Sequence, residues 1–455
     1  MAFSTIPGAS ATDATSLVGT SGQDQVVISS AGNLWTGAQQ GKDRIEFTSP
    51  TRTMSNVTVR GGSGLDALIA GDEVTAIKDS FINVMPGQDT VNINNLESTT
   101  LYGGSDGDVI SVGTLRSSKL NSNKGNDTLT VTGSSSSSIY GGAGADTATI
   151  SGTHTSSNIS GDKDNDSLTL GANANLHTSN VNGNAGNDTI TVNAIAGFAN
   201  SSIQGGAGGD SVLGANSTVT LLQYGNNGAD TLQGGTAADS LNGGNGLDTI
   251  DGNGGADALT GGNGDDFFAF NTGDVVAGET ISGGTDSQTV GDTIQVQTAT
   301  DFTTLTTATI LTAGGVENIR IDGAIAGTFT TSQLTGQAIN VNDNATGIAT
   351  LDINTDAGGS GPYDLSGLTF TAVTGTAFAT GVDVIDIDET DGTDVTVTGT
   401  SLADNMDSTT DTDSLNGGGG NDTITSGGGA DTIDGAADAD SLTGGAGTDR
   451  ILGGA

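Results

Sequence analysis

A nine-residue repeat between residues 225 and 268 constrains the fold of this chain more than any other feature. An aspartate returns every ninth residue, and an apolar residue follows each aspartate by two positions. The aspartates are Asp230, Asp239, Asp248, Asp257 and Asp266, and the apolar residues are Leu232, Leu241, Ile250, Leu259 and Phe268. Each unit joins a glycine-rich half, which can adopt the positive φ angles of a tight turn, to a short half that suits a three-residue strand. The repeat therefore predicts stacked units of one turn and one strand.

Stacking of these units explains the recurrent aspartate. Strands in a parallel stack lie about 4.8 Å apart, and Ca²⁺ takes oxygen ligands at about 2.3–2.6 Å. An ion between two turns can therefore reach backbone carbonyls and an aspartate on both. Without an ion, carboxylates about 4.8 Å apart repel by roughly 0.9 kcal/mol per pair at the dielectric constant of water and roughly 3.5 kcal/mol at an effective value of 20. We therefore expect the column of aspartates to need a cation to fold.

The repeat resembles the nonapeptide G-G-x-G-x-D-x-U-x of the RTX (repeats-in-toxin, hemolysin-type) family of calcium-binding proteins. The resemblance implies an all-β, right-handed parallel β-roll or β-helix solenoid stacked with multiple Ca²⁺ ions. It also implies that backbone carbonyls and the sixth-position aspartate bind the ions, with the U side chain inside. Two turns depart from the motif, at Thr236-Ala237-Ala238 and at Gly252-Asn253, and we expect them to hold calcium less well.

A looser form of the motif occupies residues 22–224, after an N-terminal lead of residues 1–21 without periodicity. Its aspartates recur at spacings of 19 to 23 residues, which is about two nonapeptides. Such a coil holds two strands and two bends, so this region is predicted to be a β-solenoid with one Asp/Gly turn per coil and calcium along one edge. Residues 225–268 would bind calcium along both edges. The candidate ligands in the looser region are Asp66, Asp108, Asp146, Asp188 and Asp210.

The nine-residue phase is lost over residues 269–398 and returns in a second RTX block over residues 399–455. Short alternating strands in the middle region favour an irregular β-solenoid, with a β-sandwich insert as the alternative. The candidate ligands of the second block are Asp413, Asp422, Asp431, Asp440 and Asp449. The sequence ends at Ala455, three residues into a further unit. We expect either a fragment or processed form, or an open end that stacks on another subunit.

The charge of the chain argues against a nucleic acid partner. The 455 residues carry a net charge of −42, and a surface of this sign repels phosphate. The chain contains no cysteine, which excludes disulfides and thiolate chemistry. Its first residues have neither the basic nor the apolar region of a signal peptide, and no apolar run approaches the length of a membrane span. We therefore expect an extracellular, cell-surface protein that is secreted without an N-terminal signal peptide, by a type I route.

Catalytic residues are hard to find in this sequence. The best acidic group is Asp383, Asp386, Asp388 and Glu389, but the chain after residue 163 offers only Arg320 and Arg450 to hold an acidic substrate. His154 and His177 lie in Ser/Asn-rich bends without a metal-ligand or triad partner in sequence, and solvated bend residues are the better interpretation. The prediction is that the protein is not an enzyme.

The sequence therefore favours a secreted calcium-binding structural protein. We expect it to fold and self-assemble with Ca²⁺ as a cell-surface layer (S-layer), matrix or filament subunit. A homo-oligomer or polymer through solenoid ends or edges is the expected partner, and cell-surface polysaccharide is a further candidate. The alternative is a calcium-dependent RTX module of a larger adhesin or exoenzyme.

Overall fold

The structure, a computed structural model, consists almost entirely of short strands that pair in parallel. It describes residues 4–6, 15–18, 22–28, 34–37, 40–48, 53–71, 73–284, 291–305, 315–322, 325–343, 349–355, 362–370, 376–377, 384–388 and 394–455. Contacts divide the chain into unit 1, residues 1–232, and unit 2, residues 233–455. The predicted parallel β-solenoid is confirmed, and it fits a right-handed β-roll.

Unit 1 contains two sheets, to which successive coils contribute strands in turn. The strands of sheet 1 start directly after the predicted aspartates or lie before the second bend: Ser4–Ile6, Asp24–Ile28, Arg44–Phe47, Thr53–Ser55, Ala67–Ala70, Ala76–Lys78, Thr90–Glu97, Val109–Arg116, Thr128–Ser135, Thr147–Ile150, Thr153–Thr155, Ser167–Leu170, Asn175–His177, Thr189–Val192, Gly197–Ala199, Ser211–Leu213 and, at the unit boundary, Thr231–Gln233. The strands of sheet 2 precede the aspartate turns: Thr15–Val18, Leu34–Gly37, Val57–Arg60, Phe81–Asn83, Thr100–Ser105, Lys119–Lys124, Ser138–Ala143, Asn158–Lys163, Asn180–Ala185, Ser202–Ala207 and Leu222–Asn227. A short pair, Gln40–Gly41 with Ser63–Gly64, extends one turn.

The core of unit 1 is a set of apolar ladders that run from coil to coil. In sheet 2, Ile139 pairs in register with Ile159, which pairs with Val181, and Val181 pairs with Ile203. All of these side chains are at most 1% exposed. Strand side chains alternate between the two faces of a sheet, so every second residue enters the core and the residues between face outward. Each short strand therefore buries one or two apolar side chains.

Unit 2 continues the same strand-and-turn pattern in several sheets. One group of parallel strands comprises Thr249–Asp251, Phe267–Phe270, Asp292–Val296, Val316–Ile321 and Asn340–Asp343, and a second comprises Ser240–Asn245, Ala258–Asn263 and Thr280–Gly284. Two further groups extend to the second RTX block: Thr300–Asp301, Ala326–Thr330, Thr350–Asn354, Val384–Asp388, Asp404–Asp407, Thr423–Thr425 and Ser441–Thr443; and Tyr363–Asp364, Thr396–Thr398, Ser414–Asn416, Thr432–Asp434 and Arg450–Leu452. Gly428–Gly429 pairs with Ala446–Gly447.

Residues 269–398 keep parallel pairing over most of their described strands. The described exceptions are the antiparallel pair of Asn340–Asp343 with Thr376–Ala377 and the one-turn helix Thr331–Leu334. The core here is aromatic: the ring of Phe302 lies 5.3 Å from that of Phe270 and 4.7 Å from that of Phe329. Parallel ladders are the arrangement of an irregular solenoid, whereas a β-sandwich is built from antiparallel sheets.

The apolar residue two positions after each repeat aspartate lies in the core, with exceptions in the last coil. Leu232, Leu241, Ile250, Leu259 and Phe268 are at most 1% exposed. Ile424 and Ile433 are likewise buried. Leu442 is only half-buried and Ile451 is 47% exposed. Their strands pair on one side only within the described chain, with Thr423–Thr425 and Thr432–Asp434.

Candidate metal centre

The predicted aspartates of unit 1 form one continuous row along an edge of the solenoid, which we name the aspartate column. The backbone N–H of each aspartate donates to Oδ1 of the aspartate one coil further on, over 2.7–3.0 Å. The column contains Asp24, Asp43, Asp66, Asp89, Asp108, Asp127, Asp146, Asp166, Asp188, Asp210 and Asp230. All are buried. The structure thus brings the candidate ligands of this region together in one line.

The second carboxylate oxygen, Oδ2, has a different environment from Oδ1. In the described part of the chain, several column aspartates bury Oδ2 without a hydrogen-bond partner: Asp66, Asp108, Asp146, Asp188 and Asp210. The same holds for Asp257, Asp422, Asp431 and Asp440 in unit 2. A buried polar atom without a partner costs about 1–3 kcal/mol, and more when it is charged. Because these unpaired Oδ2 atoms recur from coil to coil, we infer that a bound ligand from outside the protein pairs with them.

In the turns of Asp66, Asp108, Asp146, Asp166, Asp188 and Asp210, the glycine five residues before the aspartate makes room for Oδ2. A Cβ on Gly141 would lie 2.5 Å from Oδ2 of Asp146 and 2.6 Å from the carbonyl oxygen of Gly161 in the next coil. A Cβ on Gly103 would lie 2.7 Å from Oδ2 of Asp108 in the same way. The absent side chain therefore leaves a cradle on which a carboxylate oxygen and a carbonyl oxygen from neighbouring coils converge.

Burial makes the charged form of these carboxylates unfavourable. Loss of water raises the pKa of Asp146 to about 7, with the neighbouring Asp127 adding repulsion and the N–H of Asp127 opposing the rise. The same desolvation raises the pKa of Asp89 and of Asp166 to about 8, and that of Asp257 to about 7. A buried row of like charges is stable when an ion of opposite charge lies within it.

Unit 2 carries two such rows over its first RTX block, because alternate nonapeptides lie on opposite edges. Asp239 donates its N–H to Asp257 over 2.7 Å, and Asp248 donates to Asp266 over 2.8 Å. Both rows then continue into residues outside the repeat. Asp257 donates to Glu279 Oε2 over 3.3 Å. Asp266 donates to Asp292, which in turn donates to Glu317 Oε2.

The second RTX block repeats this two-row arrangement. Asp413 donates to Asp431 over 3.0 Å, and Asp431 donates to Asp449 over 3.3 Å. The other row runs from Asp404 through Asp422 to Asp440, over 2.9 and 3.0 Å. Each candidate ligand of this block therefore lies in one of two columns. Asp440 and Asp449 are only half-buried.

Sequence reasoning missed several members of these rows. Longer loops break the nine-residue phase before three of these members, so the repeat does not predict them. They are Glu279, Asp292 and Glu317. The pair Gly283-Gly284 before Asp292 was the available signal. Asp404 keeps the phase but lies in a turn with a single glycine, Gly399.

The turn of Asp239, where the fourth-position glycine is missing, differs in its hydrogen bonds. Oδ2 of Asp239 accepts the N–H of Gly235 over 2.6 Å. The turn of Asp404 is similar, since its Oδ2 accepts the N–H of Thr400 over 2.7 Å. In these two turns a backbone N–H binds the carboxylate oxygen that has no partner in the other turns. Weaker calcium binding at Thr236–Ala238 stays a prediction.

The second edge of unit 1 carries hydroxyl groups where unit 2 carries aspartates. We name this row the hydroxyl column: Ser80, Thr99, Ser118, Ser137, Ser157, Ser179 and Ser201. Backbone N–H groups of the preceding coil, beginning with that of Val57, donate over 3.0–3.2 Å to the oxygens of Ser80, Thr99, Ser118, Ser137, Ser179 and Ser201. Each hydroxyl also donates to the carbonyl two residues earlier, over 2.5–3.1 Å. A hydroxyl that accepts one backbone hydrogen bond and donates another has its hydrogen-bonding groups paired within the protein. This edge therefore needs no cation.

His154 is buried rather than solvated, which corrects the sequence-based interpretation. Its Nδ1 lies 2.7 Å from Ser134 Oγ and its Nε2 lies 3.0 Å from the carbonyl oxygen of Ser151. Burial lowers its pKa, so a neutral ring is favoured. The exposed His177 agrees with the prediction. His154 thus fills the core between two coils and is held by hydrogen bonds.

The donor set of the columns suits Ca²⁺. Within the described ranges, no three carboxylate, imidazole or thiol side chains gather closely enough to hold a metal ion by themselves. Backbone carbonyls, such as that of Gly161 beside Asp146, would have to complete the coordination. An all-oxygen set of carboxylates and carbonyls is what Ca²⁺ prefers, and softer metals take imidazole or thiolate. The residues present therefore fit calcium.

A parallel β-solenoid that stacks carboxylates and carbonyl oxygens between its turns defines a class of cation-binding repeat proteins. The family profile described as RTX calcium-binding nonapeptide repeat (4 copies) matches residues 122–149, 224–259, 245–276, 398–433 and 426–455. These segments are RTX calcium-binding nonapeptide repeats, as the resemblance in sequence implied. No curated protein matches the chain.

Proposed function

We propose that this calcium-binding repeat protein is a secreted structural protein that folds around Ca²⁺ and then assembles into a surface layer, matrix or filament. The observation that carries the calcium dependence is the row of buried aspartates with orphaned Oδ2 atoms, repeated from coil to coil. Assembly is supported by the large share of the described chain that forms repeated strand-and-turn coils.

Calcium acts here as a folding ligand. The column aspartates and the carbonyls of the following turns hold the ion, and the bound ion neutralises carboxylates that would otherwise repel one another. In the unfolded chain these groups are far apart, so the free energy of calcium binding becomes free energy of folding. Extracellular calcium modules work at about 10⁻⁴–10⁻³ M, and that range keeps the chain unfolded until it leaves the cell.

Location outside the cell agrees with the family. RTX repeat proteins are typically secreted and extracellular. No helix in the described part of the chain is long and apolar enough to cross a membrane. We propose export by a type I route, which suits a chain that remains unfolded at low calcium.

We propose that the protein has no catalytic role. Of the acidic group singled out in the sequence, Asp383 and Glu389 lie outside the described residues. Asp386 accepts a hydrogen bond from Asn405 over 2.6 Å and pairs in register with Asp352. These contacts suit an outward polar ladder of the solenoid. Cleavage of an acidic polysaccharide that is lost in Asp386→Asn would contradict this proposal.

The test of assembly is a calcium titration of the full chain followed by circular dichroism and light scattering, with electron microscopy of the same samples. A β-sheet signal and particle size that rise together, with ordered filaments or sheets in the micrographs, are expected. Calcium-dependent folding to a species that stays monomeric would reject the assembly role and favour the alternative, a calcium-dependent RTX module of a larger adhesin or exoenzyme. Failure of calcium to change the β-sheet signal would reject both.

A further inference from the structure

An open groove follows the second edge of unit 1 over five successive coils. Its first part, of about 570 Å³, runs past Ser138, Asn158 and Asn180 to Ser202. Its second part, of about 520 Å³, runs from Ser202 past Gln204 to Tyr224. Asn200 and Ser202 line both parts, so the groove is continuous. At the spacing of a parallel stack, five coils extend over roughly 19 Å.

The lining of this groove is uncharged. It consists of serine, threonine, asparagine and glutamine side chains with one leucine and one tyrosine, and all of these residues are among those described. This composition is notable in a chain with a net charge of −42. An anionic ligand would meet the field of the whole protein, and a cationic ligand would find no carboxylate in the groove. The groove therefore suits a ligand without charge.

The polar side chains of the groove are held in rows before any ligand arrives. Ser202 Oγ donates to Asn180 Oδ1 over 2.7 Å, and Asn180 Nδ2 donates to Asn158 Oδ1 over 3.4 Å. In the next outward row, Asn182 Nδ2 donates to Gln204 Oε1 over 3.4 Å. Side chains that are already ordered lose less entropy when they bind. Amides and hydroxyls both donate and accept, as the hydroxyl groups of sugars do.

Tyr224 adds an aromatic ring to the lining of the groove at its last coil. It is half-buried and lies in the outward row that contains Gln204 and Tyr140. Leu222 stands beside it on the same strand. An aromatic ring provides a flat apolar surface with a polar hydroxyl at its rim. The C–H face of a pyranose ring can stack on such a surface while its hydroxyls reach the amide rows.

These features together specify a hydroxyl-rich, uncharged and extended ligand that follows the coil repeat. We infer that the groove from Ser138 to Tyr224 binds an uncharged polysaccharide, in a site separate from the aspartate column on the other edge of sheet 2. The site rests on the calcium-folded state of the proposed function but not on self-assembly. Through this groove, a calcium-folded structural protein would bind to a glycan coat.

The test is affinity electrophoresis of the full calcium-loaded chain in native gels that contain dextran, mannan or hydroxyethylcellulose. Polygalacturonate serves as the anionic comparison. Tyr224→Ala and Gln204→Ala change the groove, and the matched control is Thr149→Ala, which lies on an outward position of sheet 1. Calcium-dependent circular dichroism of each variant, run in parallel, shows whether it folds.

Retardation by at least one uncharged glycan is expected, with affinity about tenfold weaker in Tyr224→Ala and unchanged in the control. Gln204→Ala provides the same comparison if Tyr224→Ala does not fold. A folded chain that no uncharged glycan retards, or that binds polygalacturonate alone, overturns the inference while calcium-dependent folding still stands. Equal retardation of wild type and both groove variants overturns it as well. Loss of calcium-dependent folding in the wild type would instead reject the proposed function.

Discussion

Asp146→Asn separates the two roles of a column aspartate, because asparagine keeps an oxygen in place of Oδ1 but removes the charge. Oδ1 of Asp146 accepts the N–H of Asp127 over 2.7 Å, and an amide oxygen can do the same. Oδ2 is the buried oxygen without a partner. The substitution is therefore expected to stabilise the calcium-free fold and destabilise the calcium-bound fold.

The structure gives the size of the first effect. Burial raises the pKa of Asp146 from 3.8 to about 7. At neutral pH, ionising this carboxyl in the folded, calcium-free chain costs on the order of 4 kcal/mol, since one pKa unit corresponds to about 1.36 kcal/mol. Asparagine avoids this cost. In calcium, the variant lacks an anionic ligand, and the calcium midpoint of folding should rise several-fold.

The assay follows the β-sheet signal by circular dichroism under both conditions. Calcium-free folding is driven by trimethylamine N-oxide in the presence of EDTA, because osmolytes favour the compact state. Calcium-dependent folding is followed by titration with CaCl₂. Asp79→Asn is the matched control, since Asp79 is an exposed acid beside Ser80 of the hydroxyl column, away from the turn of Asp146. A loss of stability of equal size in EDTA and in calcium would refute the reasoning, because Asp146 would then be a structural residue and not a ligand.

Three further predictions concern pH, the glycine cradle and the hydroxyl column. The carboxyls of Asp89 and Asp166 have a pKa of about 8 when folded against 3.8 ordinarily, so they bind protons more tightly in the folded chain. The calcium-free fold should therefore be most stable below about pH 4 and lose stability as pH rises to about 8, and β-sheet content in EDTA that increases with pH would contradict this. Gly252→Ala places a Cβ against Oδ2 of Asp257, whereas a Cβ on Gly254 in the same turn meets nothing within 4 Å. We expect a loss of about 1–3 kcal/mol for Gly252→Ala and a much smaller one for Gly254→Ala in urea unfolding with calcium, and equal losses would show that the cradle is not needed. Ser179→Ala removes the acceptor of the Ser157 N–H and should cost about 1–3 kcal/mol. That loss should be the same at low and high calcium and absent in the exposed control Ser167→Ala, while a loss confined to high calcium would mean that the hydroxyl column binds ions.

The repeat predicted the fold well because its spacing encodes the geometry directly. An aspartate every nine residues with an apolar residue two positions later leaves little choice but a turn and an inward-facing strand, and Leu241 and Ile250 lie where this reasoning puts them. The spacing of about 20 residues also separated the one-edged coils of unit 1 from the two-edged coils around Asp239 and Asp248.

Other features depend on contacts that spacing does not encode. The hydroxyl column was visible only as Ser/Thr-rich bends, and these residues are common in any solvated bend. Ser179 becomes a column member because its neighbours in space, Ser157 and Ser201, come from other coils. Glu279 ends a row of aspartates with a longer side chain, after an excursion whose length the repeat does not set. The burial of His154 likewise follows from the coil that covers it and not from its local sequence.

The bond from each aspartate amide to the next carboxylate gives unit 1 a direction. A coil offers its carboxylate to the coil before it and its amide to the coil after it, so the two ends of a growing stack are chemically different. Such a stack behaves as a one-dimensional polymer formed within a single chain, in which a first pair of coils is slow to form and later coils add readily. Ions would then be taken up in sequence, outward from the pair of coils that forms first. A single faulty coil would act as a chain terminator and divide the stack into two shorter blocks with separate calcium responses.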